Sequence, residues 1–280
     1  MRFATTRQQG RTRLGVVDGN DWIALGIELR AALEAGTDLV AAGRAAMASG
    51  QRVPMEAQSF APLVPEPGKI ICLGLNYFDH AKEGGRDKPD YPWFFYRGKS
   101  SLMGHGEAGL LPKMSLKFDY EAELAVVIGK KVPRHVSKGD ALQYVFGYSC
   151  FNDMSVRDYQ KRTPQWTIGK NFDATGGFGP VLVTADELAP GATGLRIQSR
   201  LNGQVMQDAN TSDMIFPVDE TIMLLAQCMT LEPGDAIIMG TPAGVGQART
   251  PPVWMKAGDV IEIDIENIGV LRNPIVAEAA

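Results

Sequence analysis

The sequence predicts a β-rich α+β protein, with a small N-terminal α/β unit over residues 1–66 and a main domain over 67–280 built on a closed or rolled sheet. Three observations predict it. After Gly68, short runs of β-branched and aromatic residues recur between Gly, Pro and Asp. Helix candidates among those runs are few. A proline-dense stretch, from Pro54 through Pro62, Pro65 and Pro67, divides this part from an alanine-rich beginning. Proline removes a backbone donor and fixes φ, so the stretch reads as a stiff linker and the domain boundary.

In chain order, 3–6 and 13–17 read as short strands around the turn-rich Gln9-Gly10-Arg11. Gly19-Asn20 then turns the chain into a third strand, 22–25. Segments 27–33 and 39–47 carry good helix formers at helical spacing. Beyond the prolines, the strand candidates are 69–73, 93–96, 121–128, 144–151, 181–184, 196–201, 236–239 and 260–265. Helices are expected at 77–83, 155–161 and 218–229, the last opened by Pro217 and followed by the turn Glu232-Pro233-Gly234-Asp235.

Composition bounds the function. Hydrophobic residues at 45% and charged residues at 21% are the balance of a globular protein rather than a disordered one. Lys and Arg number 28 against 32 Asp and Glu, a net charge of -4, which lacks the basic footprint of a nucleic-acid binder. No apolar run approaches bilayer length, so no membrane span is expected. Cys72, Cys150 and Cys228 have no CxxC spacing and read as reduced thiols, not disulfides or a zinc site. Met1 to Thr6 carries two basic residues with no apolar stretch after it, unlike a secretory signal. A cytoplasmic protein is the expectation.

The chemistry concentrates in three acidic segments. In Asp119-Tyr120-Glu121-Ala122-Glu123-Leu124, strand periodicity projects Glu121 and Glu123 from one face, roughly 7 Å apart along the backbone. Paired carboxylates beside a Val/Ile run favour a hard divalent cation; the alternative is the solvated face of an edge strand. Asp153, at the end of a strand and before a helix, offers a third oxygen ligand or an N-cap. His80 and Glu83 are i,i+3 neighbours on a helix, suited either to general-base work or to a surface ion pair. Lys170 is a cation in Gly169-Lys170-Asn171, solvated unless the fold buries it. The loop Gly240-Thr241-Pro242-Ala243-Gly244-Val245-Gly246 can present amides to a carboxylate or simply connect strands, and it lacks the ending of a P-loop.

These segments, with Gly74-Leu75-Asn76-Tyr77, Asn152-Asp153, Arg157-Asp158, Leu201-Asn202-Gly203 and Pro233-Gly234-Asp235, occur in an order that resembles the fumarylacetoacetate hydrolase family from about Lys69 to Pro274. The resemblance implies that family's rolled mixed β-sheet catalytic domain, a homodimer, and a magnesium or manganese ion (Mg2+ or Mn2+) held by Glu121, Glu123 and Asp153. It further implies a catalytic dyad of His80 and Glu83, an active-site Lys170, and substrate contacts from Tyr77, Arg97, Gln160 and Thr241. Where many family members carry Lys-Pro after the aromatic strand, this chain has Arg97-Gly98-Lys99.

The expected function is metal-dependent hydrolysis of a C–C bond in a 2,4-dioxo acid, an acylpyruvate or a sugar-derived 2,4-diketo-3-deoxy acid. In that scheme the ion stabilises a departing enolate, Glu83 with His80 activates water, and Lys170 meets the developing oxyanion. The alternative is oxaloacetate-type decarboxylation or keto–enol isomerisation on the same site. A non-catalytic module holding structural calcium is the reading from a different class, and its mark is a fully coordinated ion with no open position.

Overall fold

In the computed structural model, which describes residues 1–279, the N-terminal strands continue the sheet that carries the rest of the chain. β1 (Arg2–Gln8), β2 (Arg11–Asp18) and β3 (Asp21–Ala24) form an antiparallel meander. Helices α1 (Leu29–Glu34) and α2 (Leu39–Ser49) follow, and β4 (Arg52–Pro54) returns beside β3. The next strands are β5 (Ile70–Gly74), β6 (Trp93–Tyr96), β7 (Leu102–Met103), β8 (Gly109–Leu111), β9 (Phe118–Asp119) and β10 (Ala122–Ile128). After them come β11 (Val145–Asp153), β12 (Ser155–Val156), β13 (Gly176–Thr184), β14 (Arg196–Leu201) and β15 (Gln204–Asn210). The last are β16 (Ala236–Ile238), β17 (Val260–Ile265) and β18 (Gly269–Ala277). The remaining α-helices are α3 (Phe78–Glu83), α4 (Lys138–Ala141), α5 (Arg157–Gln160), α6 (Thr167–Lys170) and α7 (Val218–Cys228).

Eleven strands make the main sheet, in the order β4-β3-β2-β1-β13-β11-β10-β16-β5-β6 with β7 added beside β13. A five-stranded sheet, β15-β14-β17-β18-β8, packs across β10, β11 and β13. β10 lies between β11 and β16 and is buried along its whole length. Its Leu124, Val126 and Ile128 meet Ile197, Ile263 and Leu271 in one core, whereas Ala125 and Val127 meet Phe151, Phe178 and Ile238 in the other. A strand apolar on both faces is what a central position demands, and Glu123 is the exception within it.

The N-terminal unit joins the main sheet through Arg2 opposite Val183 and Phe3 opposite Leu182. The proline-rich stretch expected as a stiff linker is packed against the sheet. Ala61 N–H donates to the Thr5 carbonyl at 3.0 Å, Thr5 Oγ1 donates to the Leu63 carbonyl at 2.7 Å, and Phe60, Leu63 and Val64 are buried. Proline content set the stiffness of this segment, but the apolar residues between the prolines decide where it lies. Among the described residues no helix is long and apolar enough to cross a membrane.

Candidate active site

The register of β10 against β11 assembles the acidic residues. Glu123 stands opposite Phe151 and Ala122 opposite Asn152, and Asp153 N–H donates to the Glu121 carbonyl at 3.0 Å. With a period of two, Glu121, Glu123 and Asp153 therefore point to the same side. One oxygen from each lies within 4.8 Å of the others. Glu123 is 1% exposed on an interior strand, so it is not on a solvated edge. Asp153 is the last residue of β11 and does not cap α5, whose N-cap is Val156.

Cations surround two of the three carboxylates. Lys170 Nζ donates to Glu121 Oε2 at 2.6 Å and to Asp153 Oδ2 at 2.5 Å. Arg157 pairs with Glu121 at 2.7 Å and with Asp119 at 2.7 Å, and Arg97 donates to Asp153. Glu123 forms no ion pair among the described residues; the Gly240 N–H at 2.5 Å is its hydrogen-bond partner. Burial, followed by the charges of Asp153 and Glu121, pushes the Glu123 carboxyl well above the ordinary range. Burial acts upward on Glu121 too, yet Lys170, Arg157 and His80 outweigh it and hold that carboxyl at about 2. Burial acts downward on the Lys170 ammonium, and Asp153 and Glu121 together reverse it, so the lysine stays protonated. Four buried carboxylates, Asp119 included, thus face three buried cations. An all-oxygen cluster with one carboxylate more than the buried cations can pair fits a hard divalent cation, which Glu121, Glu123 and Asp153 would hold.

The cluster opens into a cavity of about 350 Å³. Glu121, Glu123 and Lys170 line it, as do His80 and Glu83. His80 Nδ1 lies 2.9 Å from Glu83 Oε1, and Glu83 also accepts from the Gly244 N–H at 3.0 Å. The glycine loop does present amides to carboxylates, and they are the protein's own. Gly240 serves Glu123 and Gly244 serves Glu83, while Gly246 and Gln247 serve Asp119. Positive φ at Gly240 and Gly244, +87° and +102°, lets the loop turn its N–H groups inward.

The expected substrate contacts divide. Gln160 lines the cavity and accepts from Arg157 Nη1 at 3.0 Å. Thr241 lines it too, its hydroxyl donating to the Ala122 carbonyl at 2.9 Å. Arg97, expected as a substrate contact, does not line the cavity. It lies behind the cluster, bonded to Asp153 and to the Met154 and Thr175 carbonyls, because a planar guanidinium buried there satisfies several acceptors at once. Tyr77 is likewise buried off the cavity, its hydroxyl without a partner among the described residues.

Sequence reasoning missed several wall residues. Arg157, and Asp119 behind it, were visible only as parts of motifs, whereas Arg86 and Trp166 gave no signal. Trp166 packs so closely on Gly74 that a Cβ there would sit 2.0 Å from the indole. Gly74→Ala is therefore expected to destabilise the protein by about 1–3 kcal/mol through overpacking, measured by denaturant unfolding. An unchanged midpoint would show that the indole has room to move.

Residues 69–276 match the family model described as fumarylacetoacetate hydrolase, C-terminal. The rat mitochondrial oxaloacetate tautomerase Fahd2a is 41% identical over 265 residues, 94% of this chain and 84% of that protein. A fumarylacetoacetate hydrolase from Exiguobacterium antarcticum superposes with TM-score 0.86 at 33% identity, over 99% of this chain and 100% of its own. The maleylpyruvate hydrolase of Sphingobium sp. SYK-6, solved with manganese(II) and pyruvate, gives 0.83 at 31% identity over the whole of both chains. The rat protein's mitochondrial name overturns the expectation of a cytoplasmic location. Reduced cysteines separate reducing compartments from oxidising ones and carry no information about which reducing compartment a protein occupies.

Proposed function

The chain belongs to the fumarylacetoacetate hydrolase family, and we propose that it is a divalent-metal-dependent enzyme catalysing keto–enol tautomerisation of an oxaloacetate-type 2-oxo acid. The observation that carries this reading is that a histidine–carboxylate dyad and the three-carboxylate cluster border one cavity. Tautomerisation needs a proton to leave carbon and return to oxygen, or the reverse, beside a site that tolerates enolate charge. A bound magnesium or manganese ion supplies Lewis-acid polarisation of the 2-oxo acid. The residues do the rest. The Glu83 carboxylate beside Nδ1 of His80 favours the tautomer with its proton there, which leaves Nε2 for proton transfer. Gly244 holds Glu83, and so the dyad, in register with the loop beneath it. Likeness to the rat tautomerase over 94% of the chain supports the same reaction.

Hydrolysis of a 2,4-dioxo acid is the second reading, supported by likeness to the maleylpyruvate hydrolase. Water activation asks more of Glu83, whose carboxylate already accepts from His80 and Gly244. The homodimer expected of the family belongs to the same proposal.

The test is to follow enol absorbance of oxaloacetate with magnesium, with manganese and with chelator, and to assay pyruvate release from acylpyruvates in parallel. Metal-dependent loss of the enol without pyruvate release is expected, with His80→Ala slower by on the order of 10²–10⁴-fold. Faster cleavage of an acylpyruvate, or tautomerisation indifferent to chelator, would reverse the order of the two readings.

A further inference from the structure

We propose that Arg86 and Trp93 form a latch that positions the His80–Glu83 dyad, an inference that rests on the catalytic reading of that dyad. α3, which carries both dyad residues, has six residues, and Ala81 is the one buried among them. A helix so short has no stability of its own, so its contacts determine where it sits. One anchor is the hydrogen bond from Gly244 N–H to Glu83.

The second anchor begins at the helix C-terminus. Gly85 has φ +70°, its N–H donates to the Lys82 carbonyl at 2.9 Å, and the Arg86 N–H donates to the Ala81 carbonyl at 2.9 Å. This is a Schellman ending, and it fixes where Arg86 starts relative to the dyad. The Arg86 guanidinium then lies 4.9 Å from the centroid of Trp93, within cation–π range. It forms no ion pair among the described residues, so the indole face is its evident partner.

Trp93 passes the contact inward. It stacks on Trp166 at 5.4 Å and 22°, and Trp166 meets Phe95 edge-on at 5.8 Å. Trp166 and Phe95 line the cavity, and Lys170 Nζ lies 5.2 Å over the Phe95 ring. Trp93 itself does not line the cavity and is 42% exposed, so its role is to position rather than to touch substrate. A continuous row of side chains thereby connects the dyad helix to the wall beside the acidic cluster. The buried N-cap Tyr77, bridged to Met214, anchors the start of α3, whereas its C-terminal half is held by Glu83 on the glycine loop and Arg86 on Trp93; loss of the second frees that half to shift.

Amide hydrogen exchange on the full chain with manganese tests this without any substrate. Peptides covering 77–86 should exchange at least tenfold faster in Trp93→Ala and Arg86→Ala, less so in Trp93→Phe, while β10 stays protected. Unchanged exchange at 77–86 overturns the latch, whatever reaction the enzyme performs. With oxaloacetate, kcat should fall about tenfold and KM stay within twofold in either single variant, with no further loss in the double variant. In a His80→Ala background Trp93→Ala should cost nothing more. Additive losses, an undiminished loss in the His80→Ala background, or a rise in KM alone would each overturn the proposal, the last because Arg86 would then be reading the substrate. Should Trp93→Ala fail to fold, Arg86→Ala, a change at an exposed residue, carries the same measurements.

Discussion

Glu123→Gln is expected to reduce metal-dependent turnover by on the order of 10³-fold or more, and at the same time to stabilise the metal-free protein. Both effects have one origin. Glu123 is fully buried, has no cationic partner, and faces Glu121 and Asp153 across the cluster. Without a metal, the fold keeps this carboxyl protonated, at a free-energy cost wherever the unfolded chain would ionise it; with a metal, the carboxylate would be a ligand. Glutamine keeps the shape, can still accept from the Gly240 N–H, and brings an amide donor to two neighbouring carboxylates. Glutamine, neutral at every pH, avoids the cost of holding a carboxyl protonated or buried beside two carboxylates, worth about 1–3 kcal/mol in the metal-free state near neutral pH.

The pH dependence follows with a definite sign. Because the folded-state Glu123 carboxyl is raised, first by burial and then by its acidic neighbours, the folded protein holds a proton that the unfolded chain has already released. Metal-free stability therefore falls as pH rises above the ordinary glutamate range, and the variant lacks that fall. Thermal unfolding in chelator across roughly pH 5 to 8 should give a flatter curve for Glu123→Gln than for the parent. Parallel curves would mean that Glu123 is already compensated, and the metal assignment would lose its main physical support.

The parts of this architecture that were legible in the sequence are those where local pattern and tertiary role agree. β14 and β17 were expected at their observed bounds, and α7 to within one residue, because a buried strand or helix face writes its period into the chain. β15 was missed, since Gln204 to Asn210 is largely polar and poor in strand formers. Its signal was the turn: Asn202-Gly203, both at positive φ, is the dipeptide that closes a tight hairpin. The Glu-x-Glu inside an apolar run left a solvated edge open and Asp153 left an N-cap open; the three carboxylates were joined as one ligand set by the family resemblance, since strand register is not written in either segment alone. The placement of Arg97 against Asp153 was not legible, because sequence gives its distance from the cluster along the chain but not the side from which it approaches. Trp166 was invisible, its importance arising from Gly74, which is far away in sequence and leaves room for the indole.

Lys170→Met should separate two roles that the sequence left merged. Lys170 Nζ, 2% exposed, bridges Glu121 and Asp153, so its first task is to hold two ligands of the cluster rather than to wait for an oxyanion. Methionine fills a similar volume without charge. In the metal-free protein two carboxylates lose their shared counter-ion inside the fold, a destabilisation of about 3–5 kcal/mol. A divalent cation entering the same cluster no longer meets a neighbouring ammonium, so manganese should bind more tightly, by roughly tenfold, since removing a like charge a few ångströms away is worth a few kcal/mol at most in a protein environment. Turnover should nevertheless fall on the order of 10²-fold or more, because the charge that balances the enolate is gone. Calorimetric titration with manganese and thermal unfolding with and without the metal measure all three. The decisive comparison is the stabilisation conferred by saturating manganese, which should be larger in Lys170→Met than in the parent. If manganese binds more weakly instead, the lysine is needed to aim the carboxylates, and its electrostatic cost to the cation is the smaller of the two effects.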